Sequence, residues 1–215
     1  GAEVTNVSVY AAGMLLGLVT IPMGSGDVTD AIASAFGIRR FQAERLKCVH
    51  GSAIASPADH REMIPVNAPG EEGSGPLARH ADDKNRVPRA ELVSVITTQL
   101  ARLMEEVSRA LKGLGFAGQR GQLVVLTGGG AELAGLADYA QAALGRPVRI
   151  GRPQHLKGLP EAHATPGFST LAGLVLYAAA DPIDIRAIGP RGAPRGGTGW
   201  LELLDRIIRA IKEYF

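Results

Sequence analysis

The stretch QLVVLTGGGAELAGLADYAQAALG, residues 122–145, constrains the fold more than any other part of the chain. An apolar strand over 122–127 runs into three consecutive glycines, and the helix that follows stops at Gly145. PVRIG then supplies a further strand. Gly128, Gly129 and Gly130 stand where the strand ends and the helix begins, so backbone amides can face a ligand that side chains would keep away. That geometry suits a nucleotide. The same three glycines equally fit a plain tight turn that needs positive φ.

Elsewhere the patterning is also of two kinds. Residues 4–10 and 14–21 are rich in β-branched and apolar types around Ala-Ala-Gly, which predicts an antiparallel hairpin. SGDVTDAIASAFG predicts a helix capped by Ser25 or Asp27, with Val28, Ile32 and Phe36 on one side and Gly37 as the stop. RRFQAERLKCVHG repeats the form, with Phe41, Arg45, Leu46 and Val49 before Gly51. From Ser56 to Pro88 the chain is loop-rich, with one short strand candidate at 62–66. A long helix is expected from about Pro88 to Lys112, with Leu92, Ile96, Leu100, Leu103, Val107 and Leu111 along one side. ATPGFSTLAGLVLYAAAD reads as a buried helix with Thr165 at its cap. Strands alternating with helices beside a hairpin give a mixed α/β class.

The charge balance, 23 basic against 21 acidic residues for a net +2, gives no basic run interleaved with aromatics, so nucleic acid is not an expected partner. Cys48 is the sole cysteine; it excludes an internal disulfide, fits a reducing compartment and reads as a buried, inert thiol. The five histidines show no metal-ligand spacing, and no catalytic residue stands out. No apolar run is long enough to cross a bilayer, no signal peptide opens the chain, and the start reads like a fragment cut within a domain.

Residues 181–199 carry repeated Gly and Pro without periodicity and read as a flexible linker. Beyond it, advancing 100° per residue places Trp200, Leu201, Leu203, Leu204, Ile207, Ile208, Ile211, Tyr214 and Phe215 on one arc of about 180°. Glu202, Asp205, Arg206, Arg209, Lys212 and Glu213 fill the other side. The linker's root-mean-square reach is roughly 25 Å. The helix can therefore leave the domain, with its aromatics at a headgroup boundary and Arg206 and Lys212 snorkelling towards anionic lipid. Burying its large side chains is worth on the order of 10 kcal/mol before ordering costs.

TGGGAELAGL resembles the adenosine-binding turn of the actin-like ATPase superfamily. GAEVTNVSVY with its hairpin resembles the second phosphate loop, and AERLK resembles the helix whose Glu and Lys reach the ribose and adenine. Within that superfamily VTIPMGSGDVTDAIASAFG, AERLKCVHGSA, VVLTGGGAELAGL, LGRPVRIGRP and the amphipathic end resemble the carboxy-terminal half of the bacterial cell-division FtsA family. The resemblance implies an actin-like, ribonuclease H-like lobe: a larger subdomain over 1–55 and 114–180, a smaller α/β subdomain over 56–113, the linker, and a membrane-targeting helix over 200–215.

By the same resemblance Gly1 and Thr5 line the β/γ-phosphate side, Glu44 and Lys47 hold the ribose, and Gly128, Gly129 and Gly130 pass beneath the adenosine. Glu44 and Lys47, three residues apart, share a helix face. ATP and Mg2+ are the cofactors implied for the complete protein. The phosphate-loop Asp is absent, Glu3 repels polyphosphate at close range, and the first lobe is missing, so this piece alone is expected to bind ATP poorly and not hydrolyse it. The implied partners are the carboxy-terminal peptide of the tubulin-like FtsZ, docked on the long helix near Gln99 and Arg102, further copies of the chain in a filament, other division proteins and inner-membrane lipid at the cytoplasmic face of the division site. The rival readings are a pilus-assembly actin homologue and a sugar- or acetate-kinase phosphotransferase.

Overall fold

The computed structural model of the chain describes residues 1–67, 86–116, 122–153, 158 and 160–180. The expected linker, the whole amphipathic helix and residues 68–85 of the loop-rich insertion lie outside the described residues.

The hairpin forms as patterned. β1 (Thr5–Ala11) and β2 (Met14–Ile21) run antiparallel, and Ala12 and Gly13, at φ 49° and 79°, make the two-residue turn whose twist matches the strands. The register shifts between Val9 and Tyr10, because Val9 faces Gly17 and Tyr10 faces Leu15. Val7, Val9 and Ile21 point inward.

α1 (Ser25–Phe36) and α2 (Arg40–His50) follow. Neither expected cap residue caps α1: the cap position is Gly24, and the helix's first amides are met from elsewhere. Ser25 N donates to Gly1 O at 2.9 Å, and Gly26 N to Ala2 O at 2.8 Å. Asp27 serves from inside the first turn, its carboxylate accepting from Gly24 N at 2.7 Å. Gly37 ends α1 in the left-handed region. α2 buries Ala43, Leu46 and Lys47 and leaves Phe41 and Val49 exposed.

The short strand β3 (Met63–Pro65) pairs antiparallel with β4 (Arg86–Pro88), a strand the sequence did not predict. α3 (Arg89–Gly113) then runs for 25 residues, about 37 Å at 1.5 Å per residue. Its buried stripe is Leu92, Val93, Ile96, Leu100, Met104, Val107 and Leu111; Met104 occupies the inward place expected of Leu103, which is half-buried. β5 (Val124–Leu126) and β6 (Val148–Ile150) are parallel neighbours, with the glycine turn and α4 (Leu136–Leu144) between them in the chain.

Two apolar clusters hold these elements. The first joins α1, α2, β3, β4 and the first half of α3 around Ile32, Leu46, Ile64, Leu92 and Ile96, each no more than 1% exposed. The second joins the β1–β2 hairpin to the last turns of α3 through Val7, Val9, Ile21, Val107 and Leu111. The first cluster takes residues from both sides of residue 56.

The chain divides into two compact units, Gly1–Gly173 and Leu174–Phe215. α5 (Ser169–Ala179) begins in the first. The sequence predicts a buried helix here, yet Ala172 is its one buried residue and Leu171 is exposed. In the second unit Leu174, Val175, Leu176 and Tyr177 are exposed too. Apolar residues distributed all round a helix cannot all face one core.

Candidate functional site

Four stretches far apart in the chain meet at the amino end of α1. Ser25 is their common point. Its amide donates to Gly1, its carbonyl accepts from Lys47 Nζ at 2.9 Å, and its Cβ lies 3.7 Å from where a side chain on Gly130 would begin. The amino-terminal loop, the start of α1, the Glu44–Lys47 face of α2 and the glycine turn thus form one assembly. Each piece arrives by a local device: the hairpin returns the chain to the Gly1 loop, and β5 delivers the glycine turn.

Lys47 is only 8% exposed. A buried ammonium must have its protons met, and here all three are: by Ser25 O at 2.9 Å, by Thr29 Oγ1 at 2.8 Å and by Glu44 Oε2 at 2.7 Å. Thr29 is fully buried, and its hydroxyl accepts from Lys47 while bonding to the same Glu44 oxygen. Glu44 itself is half exposed, with 49% of its side chain accessible. Its other oxygen, Oε1, accepts from the Cys48 thiol at 3.4 Å. Burial pushes the Glu44 carboxyl up, but the hydrogen bonds from Lys47 and Thr29 and the Lys47 charge outweigh it, so its pKa falls below the ordinary range. Cys48 is exposed, not buried as its type suggested; partial burial and the adjoining Glu44 carboxylate hold its thiol above its usual value.

The glycine turn has its own supports. Gly128 sits at φ 91°, and its amide donates to Pro166 O at 3.0 Å. Gly129–Glu132 coil into a short 3-10 turn, and Glu132 Oε1 accepts from Gly167 N at 3.1 Å, which holds the 165–169 turn against the glycines. Thr127 Oγ1 lies 2.6 Å from Ser169 Oγ. Gly129 is exposed, and a Cβ added to it would meet no described atom within 4 Å.

The other residues named from the sequence lie as follows. Gly1 contributes its carbonyl to α1, and the Thr5 hydroxyl donates to Met23 O at 2.8 Å. Glu3 is exposed in the same loop. Gln99 is half-buried and Arg102 exposed, one turn apart on α3 and apart from the Ser25 assembly. Trp200 to Phe215 fall outside the described residues. Among the described residues no group of His, Cys, Asp and Glu is arranged to hold a metal ion, and no helix is long and apolar enough to cross a membrane. Thr29 and Ser25 are the site residues that sequence reasoning missed. The available signal was Thr29 itself, a hydroxyl set beside Val28 in the inward stripe of α1.

Solved structures of similar fold define the class. A chain of the PilM-PilN type IV pilus biogenesis complex superposes with a TM-score of 0.57 at 20% identity, covering 82% of this chain and 43% of that one. MreB 5 of Spiroplasma citri bound to AMPPNP superposes with a TM-score of 0.55 at 12% identity, covering 86% and 53%. The fold is that of the actin-like ATPases. The sequence narrows this further: the profile of the Cell division protein FtsA family matches residues 1–173. Cell division protein FtsA of Agrobacterium fabrum is 36% identical over 217 residues, spanning 100% of this chain and 47% of the relative. The Escherichia coli K12 protein of the same name is 30% identical over 210 residues, spanning 97% and 49%. The chain belongs to the FtsA family. It spans about half the length of the curated relatives it matches.

Proposed function

We propose that this chain is the nucleotide-facing carboxy-terminal portion of an actin-like cell-division scaffold, which self-assembles and holds FtsZ filaments at the cytoplasmic face of the inner membrane. Membership of the FtsA family supports the division role. The observation that carries the nucleotide reading is Gly129. Neither a positive φ nor any atom of the described residues demands glycine there, so its missing side chain leaves room for a ligand.

ATP fits the arrangement. The adenosine would lie over Gly128, Gly129 and Gly130, the ribose beside Glu44 and Lys47, and the phosphates towards Gly1 and Thr5. A Mg2+ ion would accompany the phosphates and offset part of their charge. Glu3 opposes the phosphates, so attachment rather than rapid turnover suits the site. The FtsZ peptide is assigned to the exposed side of α3 around Gln99 and Arg102. Lipid is assigned to the arc from Trp200 to Phe215, with Arg206 and Lys212 at its edges.

The test is competition of ATP against a fluorescent ATP analogue on the full-length natural protein that carries these residues. Gly129→Leu is expected to fold normally and to weaken ATP by about tenfold or more, through lost approach of the backbone. Unchanged affinity in folded Gly129→Leu would defeat the assignment of the turn.

A further inference from the structure

The sequence pairs Glu44 and Lys47 as equals, whereas the structure gives them unlike positions. Lys47 is buried and has spent all three protons on Ser25, Thr29 and Glu44. An ammonium has three donors and no acceptor, so nothing is left on it for a ligand unless one of these bonds breaks. Glu44 differs: both short bonds converge on Oε2, while Oε1 has the weak thiol donor of Cys48 and the side chain is half exposed.

We propose that Thr29 and Lys47 are positioning residues: Thr29 from α1 and Lys47 from the next turn of α2 clamp Oε2 of Glu44 so that Oε1 is presented, in one fixed orientation, to the hydroxyls of a bound ribose. This rests on the nucleotide reading above and refines it, since the polar discrimination of the sugar then belongs to Glu44 alone. A free glutamate on a helix surface samples several rotamers. Two bonds to a single oxygen remove that freedom before the ligand arrives, so the sugar meets a preorganised acceptor. Thr29 can do this because it is anchored deep: it is fully buried and lies within bonding distance of both Ser25 O and Lys47.

The test compares ATP with 2′,3′-dideoxy-ATP on the full-length natural protein, reading the ratio of their affinities by competition. Wild type should prefer ATP by about tenfold, because a site built to bond hydroxyls penalises the analogue without them. Thr29→Val keeps the shape and loses the hydroxyl, and should cut the ratio at least about threefold while leaving dideoxy-ATP affinity within about twofold. Thr29→Ser should restore the ratio. A role in folding alone would weaken both nucleotides together and leave the ratio in place. Should Thr29→Val fail to fold, Thr29→Ala serves the same comparison, since it too removes the hydroxyl that bonds Glu44. An unchanged ratio in either folded variant overturns the proposal. Failure of both nucleotides to bind wild type overturns the underlying nucleotide reading instead, a result of a different kind.

Discussion

At the scale of single residues, neighbouring glycines answer to different physics. Gly128 is held at φ 91°, where any side chain is strained, so Gly128→Ala should lower unfolding free energy by about 1–2 kcal/mol. Gly129→Ala has neither strain nor a clash to meet and should leave stability within about 1 kcal/mol of wild type, on either side. Urea denaturation of the two variants distinguishes them, and an equal loss from both would show that Gly129 is also structural. Among the described residues, His50 and Glu44 contribute to the response to acid. Burial, reinforced by the Arg45 charge, holds His50 below its usual 6.5, so the unfolded chain takes up that proton first. Stability is full above 6.5 and is lost as pH falls towards the folded value. Glu44, depressed below its ordinary 4.5, adds a second loss as pH falls through that lower range. His50→Gln should remove the first decline and leave the second, as read from unfolding midpoints between pH 8 and about pH 2.

At the scale of elements, α3 is the member on which both apolar clusters depend. Its early turns carry Leu92 and Ile96 into the first cluster and its late turns carry Val107 and Leu111 into the second. Ile96→Ala and Leu111→Ala should each cost about 2–4 kcal/mol. Because the helix is continuous, each variant should still unfold in a single transition; two resolved transitions would mean that the clusters melt separately. The amino end of α1 is the second critical element. A Cβ on Gly24 would stand 2.4 Å from Ala2 O and 2.5 Å from Gly1 O, so Gly24→Ala should loosen the Gly1 loop. Much of this architecture was legible beforehand. The periodicity of α3, the stop at Gly37 and the hairpin alternation are local patterns, and each element formed within a few residues of its expected bounds. β4 was not legible, since its three residues have meaning only beside β3. Nor was the inward face of α2, where Lys47 is buried and Phe41 exposed, the ammonium meeting Ser25 and Thr29 oxygens on α1 and the Glu44 carboxylate on its own helix.

At the scale of the whole molecule, the membrane assignment rests on the patterned end of the chain. Removing 200–215 from the natural protein should abolish sedimentation with vesicles of mixed zwitterionic and anionic lipid. Ile207→Asp should do nearly the same by placing a charge in the apolar arc, while Arg209→Ala on the polar side should change little. Sedimentation that survives the deletion would remove the helix from the reading. The sequence by itself determined what repeats over short distances: the strand, the glycine turn and helix at 122–145, the hairpin, the length of α3 and the two-sided pattern after residue 199, because spacing of 2 or 3.6 is written into consecutive residues. Tertiary structure alone decided that Ser25 and Thr29 stand between Gly1, Lys47 and Gly130. Ser25, Thr29 and Lys47 are tied by an ammonium that must satisfy three donors at once and Gly1 by the Ser25 amide, and neither requirement leaves a periodic trace along the chain.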